Sequence, residues 1–261
     1  MRALNAVTVA IVVLMVLPLL VVAPLSFSSS SLLSLPIPGW SLRWYAAFFN
    51  DPRWLAATRT SFLVGGLTVL VAAPLGTLAA LGLHFGRFPG RRLVLAALVA
   101  PVVTPSVITG LAMYLAFGRV GLTSTLTGLV IAHAVLGAPY TVAAVLAGLQ
   151  GFDPALLLAA RGLGATAGSA FRRVLAPLLA PSIGAGAVFA FAVSFDELAI
   201  TLFLAGPEQQ TLPRQMFSGL RETLSPTLAA AACILGLFSL ALLGLWQAVR
   251  GRDAGSDGLH E

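Results

Sequence analysis

The sequence predicts an all-α membrane protein with six transmembrane helices, on three observations. The chain of 261 residues is 58% hydrophobic and 9% charged, with a mean hydropathy of +0.97. A soluble domain carries about 25% charged residues. The apolar residues fall into long runs, and crossing the hydrocarbon core as a helix takes about 20 of them. The short alternating segments of a transmembrane barrel are missing from the pattern.

In chain order the predicted spans are Ala6–Leu25, Ser61–Leu83, Leu93–Phe117, Leu122–Leu149, Ser182–Leu204 and Pro226–Val249. The first exceeds the apolar core of about 7–15 residues in a secretory signal, so it reads as a retained span. After it, "SFSSSSLLSLPIPGW" is a polar, proline-punctuated linker. Next, "SLRWYAAFFNDPRWLAATRTS" interleaves Trp44, Tyr45, Phe48, Phe49 and Trp54 with Arg43, Asp51 and Arg53. That mixture suits a short amphipathic helix at the membrane–water interface, and also a docking surface for a soluble partner. "HFGRFPGRR", His84–Arg92, is a tight basic turn suited to anionic lipid headgroups. Pro18, Pro74, Pro101, Pro105 and Pro139 lie within spans. Each removes a helical hydrogen bond and bends the helix unless neighbours satisfy the freed carbonyl. Gly184, Ala185 and Gly186 in the fifth span permit close helix approach. Cys233 has no partner for an intramolecular disulfide and reads as a small buried apolar residue.

Every basic residue is Arg. With the N-terminus inside, the inner segments hold Arg2, Arg87, Arg91, Arg92, Arg161, Arg172, Arg173, Arg250 and Arg252. The outer segments hold Arg43, Arg53, Arg59, Arg119, Arg214 and Arg221. The inner set is larger and lies close to span ends, where positive charge sets orientation, so both termini are expected in the cytoplasm. The net charge of +6 thus reflects topology and gives no argument for nucleic acid binding.

The same inventory bounds the chemistry. The single Cys and three scattered His offer no zinc spacing. No G-x-S-x-G elbow accompanies a usable Asp and His. With no Lys, the chain lacks the GK[ST] lysine of a phosphate-cradling loop. No catalytic residue, metal or cofactor is therefore assigned to it, and ATP-driven work requires another subunit.

The most informative stretch is "LQGFDPALLLAARGLGATAGSAFRRVLAPLLAPS", between the fourth and fifth spans, within an inner loop at 150–180. Asp153 before Pro154 is a helix start. A short helix over Pro154–Leu163 ends at Gly164, and a second from about Ala167 runs through Pro177 into the next span. Ala159, Ala160 and Gly164 are small enough to let another protein approach.

This stretch resembles the "EAA" loop of binding-protein-dependent ABC importer permeases: E-A-A, three residues, G, nine residues, then I-x-L-P. Ala159, Ala160, Gly164, Val174 and Pro177 fall on its positions, while Leu158 stands where the family has an acidic residue. The resemblance covers most of the chain. Besides "SLRWYAAFFNDPRW", "APVVTPSVITGLAM" and "IAHAVLGAPY", the segment Ser194–Ala232 is similar to the second permease subunit of spermidine/putrescine-type systems. It implies a type I importer permease (MetI-like) fold, one membrane domain over 1–261, and a place in the bacterial cytoplasmic (inner) membrane. The implied partners are a second permease, two copies of an ATPase that binds ATP and Mg, and an extracytoplasmic solute-binding protein. In the family this loop docks into a cleft of the ATPase. The polar contact that the acidic residue makes in the family is here either absent or supplied by Asp153.

Asp196 and Glu197 fall inside the predicted fifth span, where a charge costs roughly 2.5–3.5 kcal/mol on insertion scales. Either is accounted for by pairing or helix capping, or by lining a path that draws in a cation. Tyr114 and Tyr140, near bent helices, could face ammonium groups or simply pack. His133, alone in the fourth span, reads as a hydrogen-bonded packing residue. The outer loop "AGPEQQTLPRQMFSGLRETLSP" sets Glu208 and Glu222 beside Arg214 and Arg221, suited to a soluble receptor. The expected cargo is a polyamine such as spermidine or putrescine. The alternatives are another solute (ferric iron, thiamine, an aminophosphonate or an oxyanion), an ion-coupled secondary transporter, and a non-transporting anchor.

Overall fold

The computed structural model describes residues 2–222 and 225–255. Its helices are α1 (Arg2–Ser26), α2 (Arg43–Asn50), α3 (Pro52–Phe85), α4 (Arg91–Val103), α5 (Ser106–Gly118), α6 (Leu126–Gln150), α7 (Ala155–Gly162), α8 (Ala167–Ala170), α9 (Ala176–Asp196), α10 (Ala199–Leu204), α11 (Leu212–Glu222) and α12 (Thr227–Gly255). One π-helical turn, Phe171–Leu175, joins α8 to α9. Among the described residues, four helices are long and apolar enough to cross a membrane: Val7–Ser26, Pro52–Phe85, Leu126–Gln150 and Ala167–Asp196. A fifth results if α4 and α5 form one broken span, and Thr227–Leu242 is a shorter apolar helix.

Several expected boundaries are corrected. The predicted third span, Leu93–Phe117, bends by 107° between α4 and α5. Pro105 forces the preceding residue out of the helical region, and Thr104 is extended at φ −76°, ψ 133°. The predicted second span is preceded by extra helix, because Pro52 starts α3 at a position where no N–H is needed. The predicted fourth span begins later, at Leu126, where the Thr125 hydroxyl accepts from the Gly128 N–H at 3.0 Å. The predicted fifth span is displaced: the helix runs through the Pro177 and Pro181 region from Ala167 and stops at Asp196. Part of the charged segment expected as a loop is the helix α11. The predicted sixth span, Pro226–Val249, falls on α12 from Thr227 onward; the side chains of residues 243 and 245–255 in that helix fall outside the described residues, as does that of Glu222.

Two compact units are distinguished by packing. The first comprises Met1–Arg59 and Leu212–Gly244. In it the linker after α1 folds back: the Ser41 N–H donates to Phe27 O at 2.7 Å, and the Ser29 N–H to Gly39 O at 2.9 Å. The Trp44 indole N–H donates to Ser28 O at 2.8 Å. Of the aromatic residues expected at an interface, Phe48 and Trp54 turn inward against each other with ring centroids 5.3 Å apart, whereas Phe49 is exposed. Arg43 lies 4.2 Å over the Trp44 ring.

The second unit comprises Thr60–Thr211 and Leu245–Glu261, and α6 is central to its packing. A Cβ placed on Gly186 of α9 would sit 2.7 Å from the Thr141 Cα, a backbone atom of α6. The two helices touch through their main chains there, as expected of small residues at membrane helix contacts. One apolar cluster joins Val64, Leu129, Leu136, Ile200 and Leu204. Another joins Ala80, Leu83, Val142, Val145 and Leu149 to Leu175 and Leu179.

Candidate functional site

Two features of the second unit gather the predicted site residues. The first is the connection from α6 to α9. Asp153 starts it as expected, its Oδ1 accepting from the Ala155 N–H at 2.8 Å. The following helix, α7, ends at Gly162, and Gly164 then takes φ +85°. An L-residue reaches that left-handed region only with strain. The Ala165 N–H closes the turn by donating to Ala160 O at 3.0 Å. The Thr166 hydroxyl caps α8 through the Ser169 N–H at 3.3 Å.

This connection has two faces. Phe152, Leu157 and Phe171 pack on the cluster formed by α3, α6 and the start of α9. Facing outward, Leu158 and Leu163 are 69% and 90% exposed, and Ala159 is exposed beside them. Ala160 and Gly164 line a cavity of about 530 Å³ with Leu163, Thr166, Ser169 and Arg173. Pro177 is exposed in the first turn of α9, just beyond the π turn. Its missing N–H and the i→i+5 bond from Ala176 to Phe171 O leave this part of the helix wide and irregular. The inner face fixes the connection to the span helices, and the outer face offers apolar side chains to another protein.

The second feature is a cavity of about 330 Å³ at the α4–α5 bend, lined by Pro101–Ser106, Leu136, Tyr140, Val193 and Glu197. It brings Glu197 and Tyr140 together. Tyr114 does not line it, being 45% exposed on α5, nor does Asp196, which is exposed at the end of α9. Asp196 is the last residue of the span helix Ala167–Asp196, and Glu197 lies just beyond it, extended at ψ 113°. Glu197 also caps α10, its Oε1 accepting from the Ile200 N–H at 2.9 Å. Capping uses one carboxylate oxygen, so the residue serves both alternatives weighed above. The Tyr140 ring stacks on Phe189 at 6.4 Å between centroids.

His133 is where sequence reasoning was right about burial but missed connectivity. It is 0% exposed, as a packing residue should be. Its Nδ1 lies 2.8 Å from Ser194 Oγ on α9, and its Nε2 3.2 Å from Thr201 Oγ1 on α10. The Ser194 hydroxyl donates on to Thr68 Oγ1 at 3.3 Å, and the Thr201 hydroxyl to Glu197 O at 2.9 Å. Thr104 and Ser106 were also missed. The polar Thr-Pro-Ser interruption within an apolar run was the available signal.

A helical membrane chain with an apolar docking edge on one connection and a cavity at a broken span has the parts of a transport permease. It belongs to the family of binding-protein-dependent transport system inner membrane components, whose pattern matches residues 72–252. Among its relatives is the putrescine transport system permease protein PotI of Escherichia coli (strain K12). That protein is 34% identical over 237 residues, covering 88% of this chain and 84% of PotI. The spermidine/putrescine transport system permease protein PotC of the same strain is 28% identical over 243 residues, covering 93% of this chain and 92% of PotC. The molybdenum transport system permease protein ModB, also of that strain, is 33% identical over 212 residues, covering 75% of this chain and 92% of ModB. The fold is shared with a bacterial ABC transporter that imports the acidic polysaccharide alginate, at a TM-score of 0.72 and 15% identity, covering 96% of each chain. An amino acid ABC transporter crystallised with histidines superposes at a TM-score of 0.60 and 21% identity, covering 80% of this chain and 98% of that one. The chain is thus an ABC importer permease with an all-α, type I fold.

Proposed function

We propose that this permease carries polyamines, spermidine or putrescine, across the inner membrane. The observation that carries this reading is Glu197 facing the cavity at the α4–α5 bend beside Tyr140. A carboxylate facing a cavity between apolar helices attracts a cation and repels an anion, and a tyrosine ring adds affinity for ammonium groups. The names of PotI and PotC agree with that charge preference.

In this reading residues 1–261 form one transmembrane domain with both termini in the cytoplasm. It pairs with a second permease, two copies of an ATPase and an extracytoplasmic solute-binding protein. ATP and Mg belong to the ATPase, and this chain performs no bond chemistry and holds no cofactor. Asp153, Leu158, Ala159, Ala160, Gly164 and Pro177 build the connection on which the ATPase docks. The exposed Leu158 makes that contact apolar at the position where relatives are acidic. Closure of the ATPase then moves α7 and, through Leu157 and Phe171, the spans α6 and α9. Glu197 and Tyr140 meet the cargo, with Asp196 and Tyr114 further along its route.

Spermidine uptake into proteoliposomes holding the assembled transporter tests this. Glu197→Gln should lower uptake at subsaturating spermidine about tenfold, equivalent to 1.4 kcal/mol of lost attraction, and Glu197→Asp should lose less. ModB supplies the observation favouring a second reading, an oxyanion cargo. Molybdate uptake that is unchanged or improved by Glu197→Gln, with no polyamine uptake, would establish that reading.

A further inference from the structure

We propose that His133 is a positioning residue: it holds the break between α9 and α10 and so sets Glu197 at the cavity. This rests on the reading of that cavity as the cargo path.

The geometry begins with the two hydroxyls that His133 joins. Ser194 and Thr201 are separated by seven residues, with the non-helical Glu197–Leu198 step between them. In a straight α-helix seven residues rise roughly 10.5 Å. The imidazole bridge comprises two hydrogen bonds, of 2.8 and 3.2 Å, and the width of one ring. It is shorter than that rise, so it favours the broken arrangement. Because His133 stands on α6, it also ties the break to the most buried helix of this unit, which contributes Leu136 and Tyr140 to the same cavity.

Hydrogen accounting extends the link to Glu197. Ser194 gives its hydrogen to Thr68, so the 2.8 Å contact with the ring takes its hydrogen from Nδ1. In the neutral ring Nε2 is then the acceptor. The Thr201 hydroxyl has one hydrogen and two claimants, Nε2 at 3.2 Å and Glu197 O at 2.9 Å. The Glu197 carboxylate is held by the Ile200 N–H, and its carbonyl shares the single Thr201 hydrogen with Nε2. The ring and its two hydroxyl partners lie where water does not compete, His133 and Thr201 each being 0% exposed and Ser194 5%. A buried polar network of this kind loses its geometry when one member is removed. Leu at position 133 would leave both hydroxyls without the ring and would free α9 and α10 to straighten, turning the Glu197 carboxylate from the cavity.

The test reads the charge of the cavity without using any cargo. In a Cys233→Ala background, Thr104→Cys places a thiol on the cavity wall of the assembled transporter in nanodiscs. Its labelling rates with a cationic and an anionic methanethiosulfonate give a ratio. Glu197→Gln must lower that ratio and calibrates it. Under the proposal, His133→Leu and the isosteric Thr201→Val each lower it at least threefold. Their combination goes little further, and His133→Gln, which keeps a donor and an acceptor, recovers part. A ratio lowered less than threefold in Thr201→Val, in the presence of a responsive Glu197→Gln control, overturns the proposal. So does full additivity of the two substitutions. Thr201→Val decides the matter if His133→Leu is not recovered as an assembled transporter. Failure of polyamine uptake would overturn the cargo reading and leave this ratio intact, so the two can fail separately.

Discussion

Replacing Gly164 isolates the backbone of the docking connection from its packing. Its φ is +85°, and a Cβ built there meets nothing within 4 Å. Substitution therefore carries no steric cost from neighbours, and the whole effect comes from the dihedral. An L-residue in the left-handed region costs roughly 1–2 kcal/mol, which is a factor of about 5–30 in a local equilibrium. Gly164→Ala should raise the population of the opened connection by that factor. Asn, which tolerates this region better, should raise it less, and the β-branched Val more. Limited proteolysis with trypsin reads this directly, since Arg161, Arg172 and Arg173 flank the turn and are exposed. Cleavage tracks the open population when reclosing is fast. The order of cleavage rates should be Val, Ala, Asn, Gly from fastest to slowest. The same order should appear inverted in retention of the ATPase through purification. Equal rates for Gly and Val, or Asn cleaved faster than Ala, would refute the reasoning that conformation, rather than side-chain bulk, governs this turn.

Three further outcomes follow from the geometry. Gly186→Leu pushes into the backbone of α6 at Thr141 and should destabilise the second unit by about 1–3 kcal/mol, as overpacking does; size-exclusion chromatography after heating will show a lower midpoint, whereas the same change at Gly82, which has open space, will not. Pro105→Ala removes the restriction on Thr104, so α4 and α5 should straighten, and labelling of a cysteine at Ser106 should fall several-fold. At the start of α3, Arg53 bonds Asp51 at 2.9 Å and holds its carboxyl below the usual range. A depressed acid contributes stability that is complete above its unfolded pKa of about 3.9 and is lost as pH falls through the lower folded value. Hydrogen exchange at the first turn of α3 should therefore accelerate below about pH 4, relative to the intrinsic rate. Arg53→Ala should weaken that acid response without abolishing it, because the residue-53 backbone N–H still donates to Asp51 Oδ1 at 2.8 Å; Asp51 and Arg53 lie near the surface, so the effect will be confined to local fraying.

Much of the architecture was legible because the bilayer leaves a sequence few choices. Runs of about 20 apolar residues can be satisfied only as helices, so the all-α class and the long helices α1, α3 and α6 follow from composition and length. The α6–α9 connection was equally legible, because Asp153, Pro154 and Gly164 each act on their own backbone: one caps, one starts a helix, one turns the chain with positive φ. Hydropathy could not place the break after Asp196. Asp196 and Glu197 mark the place by charge, but no proline or glycine signals a break in the backbone there. His133, which contacts both sides of that break, lies 61 residues before Ser194 and 68 before Thr201 in the chain. The sequence likewise offered four path residues without ranking them. Packing at the α4–α5 bend brought Glu197 and Tyr140 to one cavity and left Asp196 and Tyr114 outside it. Local backbone chemistry and the demand for apolar length are properties of short segments, and the sequence by itself determined what depends on them. Which polar groups meet depends on how distant helices pack, and only the tertiary structure decided that.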